Sequence, residues 1–168
     1  MLNKLNRNWQ IAIVALSTVL LDQLTKVIAR SSLSPMEELS YLGNTFVLLH
    51  TENTGAFLSL GANLPENVRF MIFSVLVGFG LLYVLYSLIK DKTMDRHETL
   101  AWAMIIGGGI GNLIDRIFRG SVTDFMNMGI GNLRTGIFNI ADIAVTTGAI
   151  LLFLSAMIKK FGNKKGTP

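Results

Sequence analysis

Four aspartates have the side chains and positions that acid–base chemistry requires: Asp22, Asp115, Asp124 and Asp142. Asp124 and Asp142 stand apart, because neither has a basic residue at helical spacing in its own segment. Two carboxyl groups held close together in a low-dielectric site cannot both ionise, so they share one proton. One group can then take a proton from water while the other protonates a carbonyl oxygen or a leaving amine. The pair therefore predicts an aspartic-protease arrangement, with a proton relay as the alternative.

Other catalytic patterns are missing from the sequence. The chain has no cysteine, which excludes a thiol nucleophile and a cysteine metal site. The two histidines, His50 and His97, lie far apart, and neither H-E-x-x-H nor G-x-S-x-G occurs. We therefore expect neither a metal nor a cofactor. The net charge is +4, but the basic residues are not clustered with aromatic ones, so no nucleic-acid partner is expected.

The composition indicates a membrane protein. Of the 168 residues, 51% are hydrophobic and only 15% are charged, whereas a soluble domain carries roughly a quarter charged residues. Four segments have about the 20 mostly apolar residues that cross a bilayer: 9–29, 70–89, 99–118 and 139–158. All four should be helices, because the backbone must satisfy its own hydrogen bonds in lipid. The sequence thus predicts an all-α integral membrane protein, with a single domain over residues 1–168.

Basic residues in the connections predict the orientation of the four spans. Nine Lys and Arg residues lie at the two termini and in the 90–98 connection, against five on the opposite side. Because basic loops stay in the cytoplasm, both termini are expected there, with residues 30–69 and 119–138 outside. The first outer segment has β-branched and aromatic runs around a turn at 53–55, which predicts a small β-hairpin or curled sheet. The second is rich in Gly and Asn, and we expect it to be irregular and mobile.

The four aspartates are expected at one level, near the outer leaflet. Asp22 lies seven residues from the outer end of its span, which is roughly 10 Å at about 1.5 Å per residue. An Asp in a spanning helix raises the free energy of membrane insertion by about 2–3 kcal/mol, so several at one depth suggest a functional role. Asp22 and Lys26, four residues apart, predict a structural ion pair. Asp115 and Arg116 are adjacent, so they point in different directions and need partners on other elements.

Five motifs, in order along the chain, together resemble those of the bacterial lipoprotein signal peptidases, the signal peptidase II family. They are DQLTK at 22–26, ENTGAF at 52–57, GGGIGNLIDR at 107–116, VTDF at 122–125 and FNIAD at 138–142. The resemblance covers nearly the whole chain, and five ordered motifs in a four-span protein are a specific signal. The main departure is the outer segment 126–137, MNMGIGNLRTGI, which is unusually rich in Gly and Asn.

The resemblance implies an intramembrane aspartyl endopeptidase of the bacterial cytoplasmic (inner) membrane, with its site near the outer face. Such an enzyme removes the signal peptide of prolipoproteins, cutting before a cysteine that carries diacylglycerol. Carried over by motif, the catalytic residues are Asp124 and Asp142. Nine other matched positions are implied to shape the site or hold substrate: Asp22, Lys26, Asn53, Gly107, Asn112, Asp115, Arg116, Asn139 and Ala141. The implied partners are lipidated prolipoproteins, membrane lipids and inhibitors of the globomycin type.

Under this interpretation the polar residues of the third span line a cavity between helices. Asn112 and Arg116 are expected to offer donors to carbonyl groups of substrate or lipid. Asp115 is expected to fix Arg116 or a backbone group of the outer segment. A G-x-x-x-G at 107–111 is typical of close helix packing, and the small residues at 107–109 and Ala141 are expected to leave room for an extended peptide.

Two other classes of function remain open from the sequence. A small proton-coupled membrane carrier would use the buried aspartates as a relay, although it needs a path to both membrane faces. A non-catalytic assembly subunit would explain the G-x-x-x-G and the ion pairs. It would not explain two unpaired aspartates at one level.

Overall fold

The computed structural model describes residues 6–34, 37–56 and 59–162. Four long helices make up most of it: α1 (Arg7–Ser32), α2 (Glu66–Lys90), α3 (Arg96–Arg119) and α4 (Ile140–Gly162). Each is long and apolar enough to cross a membrane, so the four predicted helices are confirmed. Lys4, Lys164 and Lys165, which were counted for the orientation, and Phe57 of the second motif lie outside the described residues.

Capping residues explain why the helices extend beyond the apolar segments of the sequence. At the start of α1, the side chain of Asn6 accepts a hydrogen bond from the backbone N–H of Asn8. At the start of α3, Asp95 and Glu98 form a capping box, in which each side chain bonds the other residue's backbone N–H. Gly120 ends α3 in the left-handed conformation, with φ of 75°. These caps satisfy backbone groups that a helix leaves free at its ends.

Helix α3 is central, because it packs against both α1 and α4. Glycines permit the close approach. A Cβ atom on Gly107 would lie 2.7 Å from the carbonyl oxygen of Ala15 in α1, and one on Gly108 would lie 2.5 Å from that of Ala141 in α4. The expectation that these small residues leave room for a peptide is therefore wrong. Neighbouring helices fill that space, as a G-x-x-x-G usually indicates.

A four-stranded antiparallel sheet lies where α1 ends and α4 begins, which we call the sheet end of the bundle. Its strands, in spatial order, are β1 (Leu39–Tyr41), β2 (Phe46–Asn53), β3 (Val122–Ile130) and β4 (Leu133–Arg134). The predicted sheet between α1 and α2 is confirmed, but two of its strands come from the segment between α3 and α4. The prediction that this segment is irregular is wrong. Residues 122–130 form a strand because β2 supplies a pairing partner, with Thr51 opposite Asp124.

One face of the sheet covers the ends of the helices. Leu48 and Met126 on this face pack in a core cluster with Ala29 and Leu33 of α1. Side chains two residues apart on a strand point to the same face, so Asp124 also points toward the helices. Pairing with β2 therefore holds the carboxyl group of Asp124, which belongs to the connection between α3 and α4, against the helix ends.

Candidate active site

Asp124 and Asp142 line one cavity between the sheet and the helices. Its volume is about 610 Å³. Other lining residues include Asn53, Phe73, Val77, Asn112, Arg116 and Thr146. Phe73 belongs to a six-residue π-helical stretch of α2, Met71–Leu76, a geometry that often marks functional sites. The structure thus brings together the two aspartates that the sequence pointed to, in a cavity with one polar end and apolar walls.

Two amide groups hold Asp124, which is 3% exposed. The Nδ2 group of Asn53 donates to its Oδ2 atom at 3.0 Å, and that of Asn139 donates to its Oδ1 atom at 2.6 Å. Burial raises the pKa of Asp124 to about 6; the hydrogen bond from Asn53 opposes this rise and the nearby charge of Asp142 adds to it. Asp124 therefore keeps its proton at far higher pH than an exposed aspartate does.

Asp142 lies in the first turn of α4, where Asn139 precedes the helix. The backbone N–H of Asn139 donates to Oδ2 of Asp142 at 3.0 Å, and the backbone N–H of Asp142 donates to Oδ1 of Asn139 at 3.0 Å. The Nδ2 group of Asn112 donates to Oδ1 of Asp142 at 2.9 Å. Hydrogen-bond donors and the positive end of the helix dipole therefore surround this carboxylate.

Asn139 connects the two aspartates through a single amide that is wholly buried. Its Nδ2 group donates to Asp124 and to Oδ1 of Asn112, the latter at 3.1 Å. Its Oδ1 atom accepts the bond from the backbone of Asp142. Rotation of this amide would break bonds to both acidic residues. The position of one carboxyl group relative to the other is therefore set largely by Asn139.

A buried ion cluster stands behind the cavity wall. The Nζ atom of Lys26, which is wholly buried, lies 2.8 Å from Oδ2 of Asp22 and 2.9 Å from Oδ2 of Asp115. The predicted Asp22–Lys26 ion pair is therefore confirmed, and Asp115 joins it. The Oδ1 atom of Asp22 accepts the backbone N–H of Ala141 at 2.9 Å. The cluster ties α1 to α3 and to the start of α4.

Asp115 and Arg116 have different partners, as their adjacency predicted. Asp115 accepts the backbone N–H of Thr123 at 3.3 Å, so it fixes the outer segment rather than Arg116. The Nη2 group of Arg116 donates to the carbonyl oxygen of Gly55 at 2.8 Å. Its Nε group is buried and has no hydrogen-bond partner within the part of the chain that the structure describes. The guanidinium carbon lies 5.8 Å from the centroid of the Phe73 ring. Arg116 therefore keeps a spare donor in a residue that lines the cavity.

The side-chain amide of Asn112 makes more hydrogen bonds within the protein than the sequence suggested. Its Oδ1 atom accepts from Lys26 at 2.8 Å and from Asn139, and one N–H of its Nδ2 group is bonded to Asp142. Only the second N–H of this group is left for a substrate carbonyl. The geometry assigns Asn112 chiefly to holding Asp142.

Sequence reasoning did not single out a polar cluster beside Asp124. The hydroxyl groups of Ser121 and Thr123 donate to the two carboxylate oxygens of Glu52. Burial alone would raise the pKa of Glu52, but the hydrogen bonds from Ser121, His50 and Thr123 outweigh it and hold the pKa below its usual value. The cluster clamps the end of β2 to the start of β3. The spacing of Ser121 and Thr123, two residues apart, was the signal available in the sequence.

The predicted site residues fall into three groups. Those that line the cavity are Asp124, Asp142, Asn53, Asn112 and Arg116. Those that support these from behind are Asp22, Lys26, Asp115, Asn139 and Ala141. Gly107 is separate, because it packs against α1. Within residues 6–34, 37–56 and 59–162, no group of three or more carboxylate or imidazole side chains is placed to hold a metal ion.

Four helices long and apolar enough to span a membrane, with two carboxyl groups lining one cavity, are features of a multi-pass membrane enzyme. Residues 14–158 match the family described as signal peptidase (SPase) II. The chain is 31% identical over 159 residues to the lipoprotein signal peptidase of Francisella tularensis subsp. mediasiatica, covering 95% of this chain and 98% of that protein. It is 36% identical over 153 residues to the lipoprotein signal peptidase of Halalkalibacterium halodurans, covering 91% and 95%.

The fold is also similar to a solved structure, a bacterial membrane enzyme determined by the in meso method at 2.3 Å resolution. The TM-score is 0.80 at 28% identity, with 94% of this chain and 93% of that chain covered. This chain belongs to the signal peptidase II family, and it is therefore a membrane protease. These relatives support the peptidase interpretation and lend nothing to the carrier alternative.

Proposed function

We propose that this protease is an intramembrane aspartyl endopeptidase that removes the signal peptide from diacylglyceryl-modified prolipoproteins. It cuts before the cysteine that carries the lipid, and Asp124 and Asp142 are its catalytic residues. The observation that carries the proposal is that both carboxyl groups line one cavity and both are hydrogen-bonded to Asn139, Asp124 by its side-chain Nδ2 group and Asp142 by its backbone N–H. The substrate class is supported by the printed name of the relatives, lipoprotein signal peptidase.

In this proposal Asp124 is the acid and Asp142 is the base. The raised pKa of Asp124, about 6, supports its holding the shared proton. The donors around Asp142 and its position in the first turn of α4 support its carrying the negative charge. The two side chains thus meet different environments, and this difference is what separates an acid from a base in a carboxyl pair.

The reaction proceeds in two proton-balanced steps. Asp142 takes a proton from a water molecule, whose oxygen attacks the scissile carbonyl carbon while Asp124 gives its proton to the carbonyl oxygen. The tetrahedral intermediate then collapses: Asp142 passes its proton to the leaving nitrogen, the C–N bond breaks, and Asp124 recovers its proton from a hydroxyl of the new acid. The spare Nε donor of Arg116 is available for a peptide carbonyl group near the scissile bond.

Placement in the membrane is part of the proposal. Lys90, Arg96 and Lys159 lie at the end of the bundle opposite the sheet, which supports cytoplasmic termini and a sheet end at the outer face of the inner membrane. Val77 and Thr146 of the cavity come from spanning segments, and such walls suit acyl chains or an apolar signal peptide. The two acyl chains of the substrate keep its scissile bond at the membrane surface. The substrate is therefore already confined to the depth of the site before it binds.

A direct assay tests the proposal. The purified protein, in phospholipid vesicles, is given a diacylated prolipoprotein and the same polypeptide without the lipid, each with and without globomycin. We expect cleavage of the lipidated chain before its cysteine, and inhibition by globomycin. Failure to cut the lipidated substrate would remove the proposed function. Proton flux through the same vesicles under a pH gradient would instead restore the carrier alternative.

A further inference from the structure

A second cavity is formed by residues of the sheet and of the segments beside it. Its volume is about 340 Å³. Val47 and Leu49 of β2 and Asn127 of β3 form part of its lining, with Arg134 of β4. Val47 and Asn127 are directly opposite each other in the β2–β3 pairing, so this cavity sits on the strands that also carry Asp124. We call it the outer cavity.

Only a short stretch of chain separates the outer cavity from the cavity that Asp124 and Asp142 line, which we call the reaction cavity. Thr135, Gly136 and Ile137 line the reaction cavity, and Ile137 lines the outer cavity as well. The backbone carbonyl groups of Thr135 and Gly136 accept from the side chain of Asn127, which fixes this dividing stretch to β3. A substrate chain that leaves the reaction cavity past this stretch meets the outer cavity next.

The guanidinium group of Arg134 is held in place with one donor to spare. Its Nε group donates to Oδ1 of Asn127, and its Nη1 group donates to the carbonyl oxygen of Asn44 at 2.8 Å. Its Nη2 group is buried, and no atom of the described residues forms a hydrogen bond with it. A buried donor without a partner is unfavourable, and a fixed, charged donor suits a carboxylate. Glu38 also lines this cavity, and its side chain is exposed.

We propose that the outer cavity binds the part of the substrate that follows the lipidated cysteine, and that Arg134 selects for an acidic side chain there. This inference rests on the proposed function, because it requires a polypeptide cut in the reaction cavity. Because Ile137 lines both cavities, the selected position is expected among the first residues after the cysteine.

The test compares three diacylated peptides that differ only at these positions, with Asp, Asn or Lys. For the unaltered protein we expect kcat/KM about tenfold higher with Asp than with Lys, mainly through KM, because charged hydrogen bonds are roughly twice as strong as neutral ones. Arg134→Gln should abolish this preference, so that the Asp, Asn and Lys peptides are cut with similar kcat/KM. Arg119→Gln is the matched control, since Arg119 is exposed at the end of α3 and does not line the outer cavity; it should keep the preference.

The outcomes separate this inference from the proposed function. Equal kcat/KM for all three peptides with the unaltered protein would overturn the inference and leave the peptidase intact, and this result does not depend on the folding of any variant. A preference that persists in Arg134→Gln would also overturn it. If anionic vesicles change the cleavage of the Asn peptide in the unaltered protein but not in Arg134→Gln, the occupant is a lipid headgroup rather than the peptide. Absence of cleavage of every peptide would count against the proposed function.

Discussion

The Nζ atom of Lys26 lies 2.8 Å from the Oδ1 atom of Asn112, whose Nδ2 group donates to Asp142. A side-chain amide has one acceptor end and one donor end. By engaging the acceptor end, the buried ammonium group turns the donor end toward the carboxylate. A charge on α1 thus orients a group on α3 that holds an acid on α4. The ion cluster therefore acts on the geometry of the reaction cavity as well as on the packing of the bundle.

The first prediction concerns this cluster. Lys26→Met leaves Asp22 and Asp115 buried without their cation, and breaking a buried pair in this way costs about 3–5 kcal/mol. We expect a lower yield of folded protein and a lower thermal unfolding temperature in detergent. Lys159→Met is the matched control, because it removes an exposed ion pair with Glu98 and should change stability little. Equal stability of the two variants would contradict the structural role of Lys26.

The second prediction concerns the carboxyl pair. Asp124→Asn and Asp142→Asn keep the size of each side chain but remove its capacity to accept or supply a proton. Because general acid–base catalysis contributes about 10²–10⁴-fold, we expect cleavage of a diacylated prolipoprotein to fall by at least that factor. Protein abundance and unfolding temperature should stay close to the unaltered values. Substantial turnover by either variant would exclude the assigned acid–base pair.

The third prediction is a pH dependence. Asp124 acts as an acid only while protonated, so kcat/KM should decline as the pH rises through about 6. The amide of Asn53 stabilises the ionised form of Asp124, which opposes the rise in pKa. In Asn53→Leu the pKa of Asp124 should rise further, and the decline should move to higher pH. The measurement is the pH profile of kcat/KM for both proteins; a decline that stays in place or moves to lower pH would contradict the acid role.

The fourth prediction concerns the helix contacts. A Cβ atom on Gly108 would lie 2.5 Å from the carbonyl oxygen of Ala141, so Gly108→Ala must push α3 and α4 apart. Overpacking of this kind costs about 1–3 kcal/mol, which a thermal unfolding measurement resolves. Gly80→Ala in α2 is the matched control, because among the described residues no atom of another element lies within 4 Å of the added methyl group. The close packing would be refuted if both substitutions had the same effect.

Much of the fold could be predicted because its signals are local. Spanning helices follow from apolar length, and the Asp22–Lys26 pair follows from spacing along one helix. The site residues came mainly from the family resemblance rather than from spacing. Resemblance named Asn139 and Asn112, but the bonds through which they hold the two carboxyl groups required coordinates.

The remaining features depend on contacts between distant parts of the chain. Residues 122–130 contain glycine and asparagine, which disfavour a strand on their own, and become one by pairing with β2. The π-helical stretch Met71–Leu76 contains no proline or charged residue from which it could have been predicted. Likewise, the bond between Arg116 and the carbonyl oxygen of Gly55 joins residues 61 positions apart. No periodicity of the sequence around Arg116 or Gly55 predicts this hydrogen bond.

The pairing of β2 with β3 also sets an order of events during synthesis. Residues 54–121, which include α2 and α3, separate the two strands along the chain. Both of these helices must be threaded into the bilayer before β3 can reach β2. Asp142 arrives later still, at the start of α4. Under the proposed function, a nascent chain therefore lacks one member of its carboxyl pair until the start of its last helix has been made.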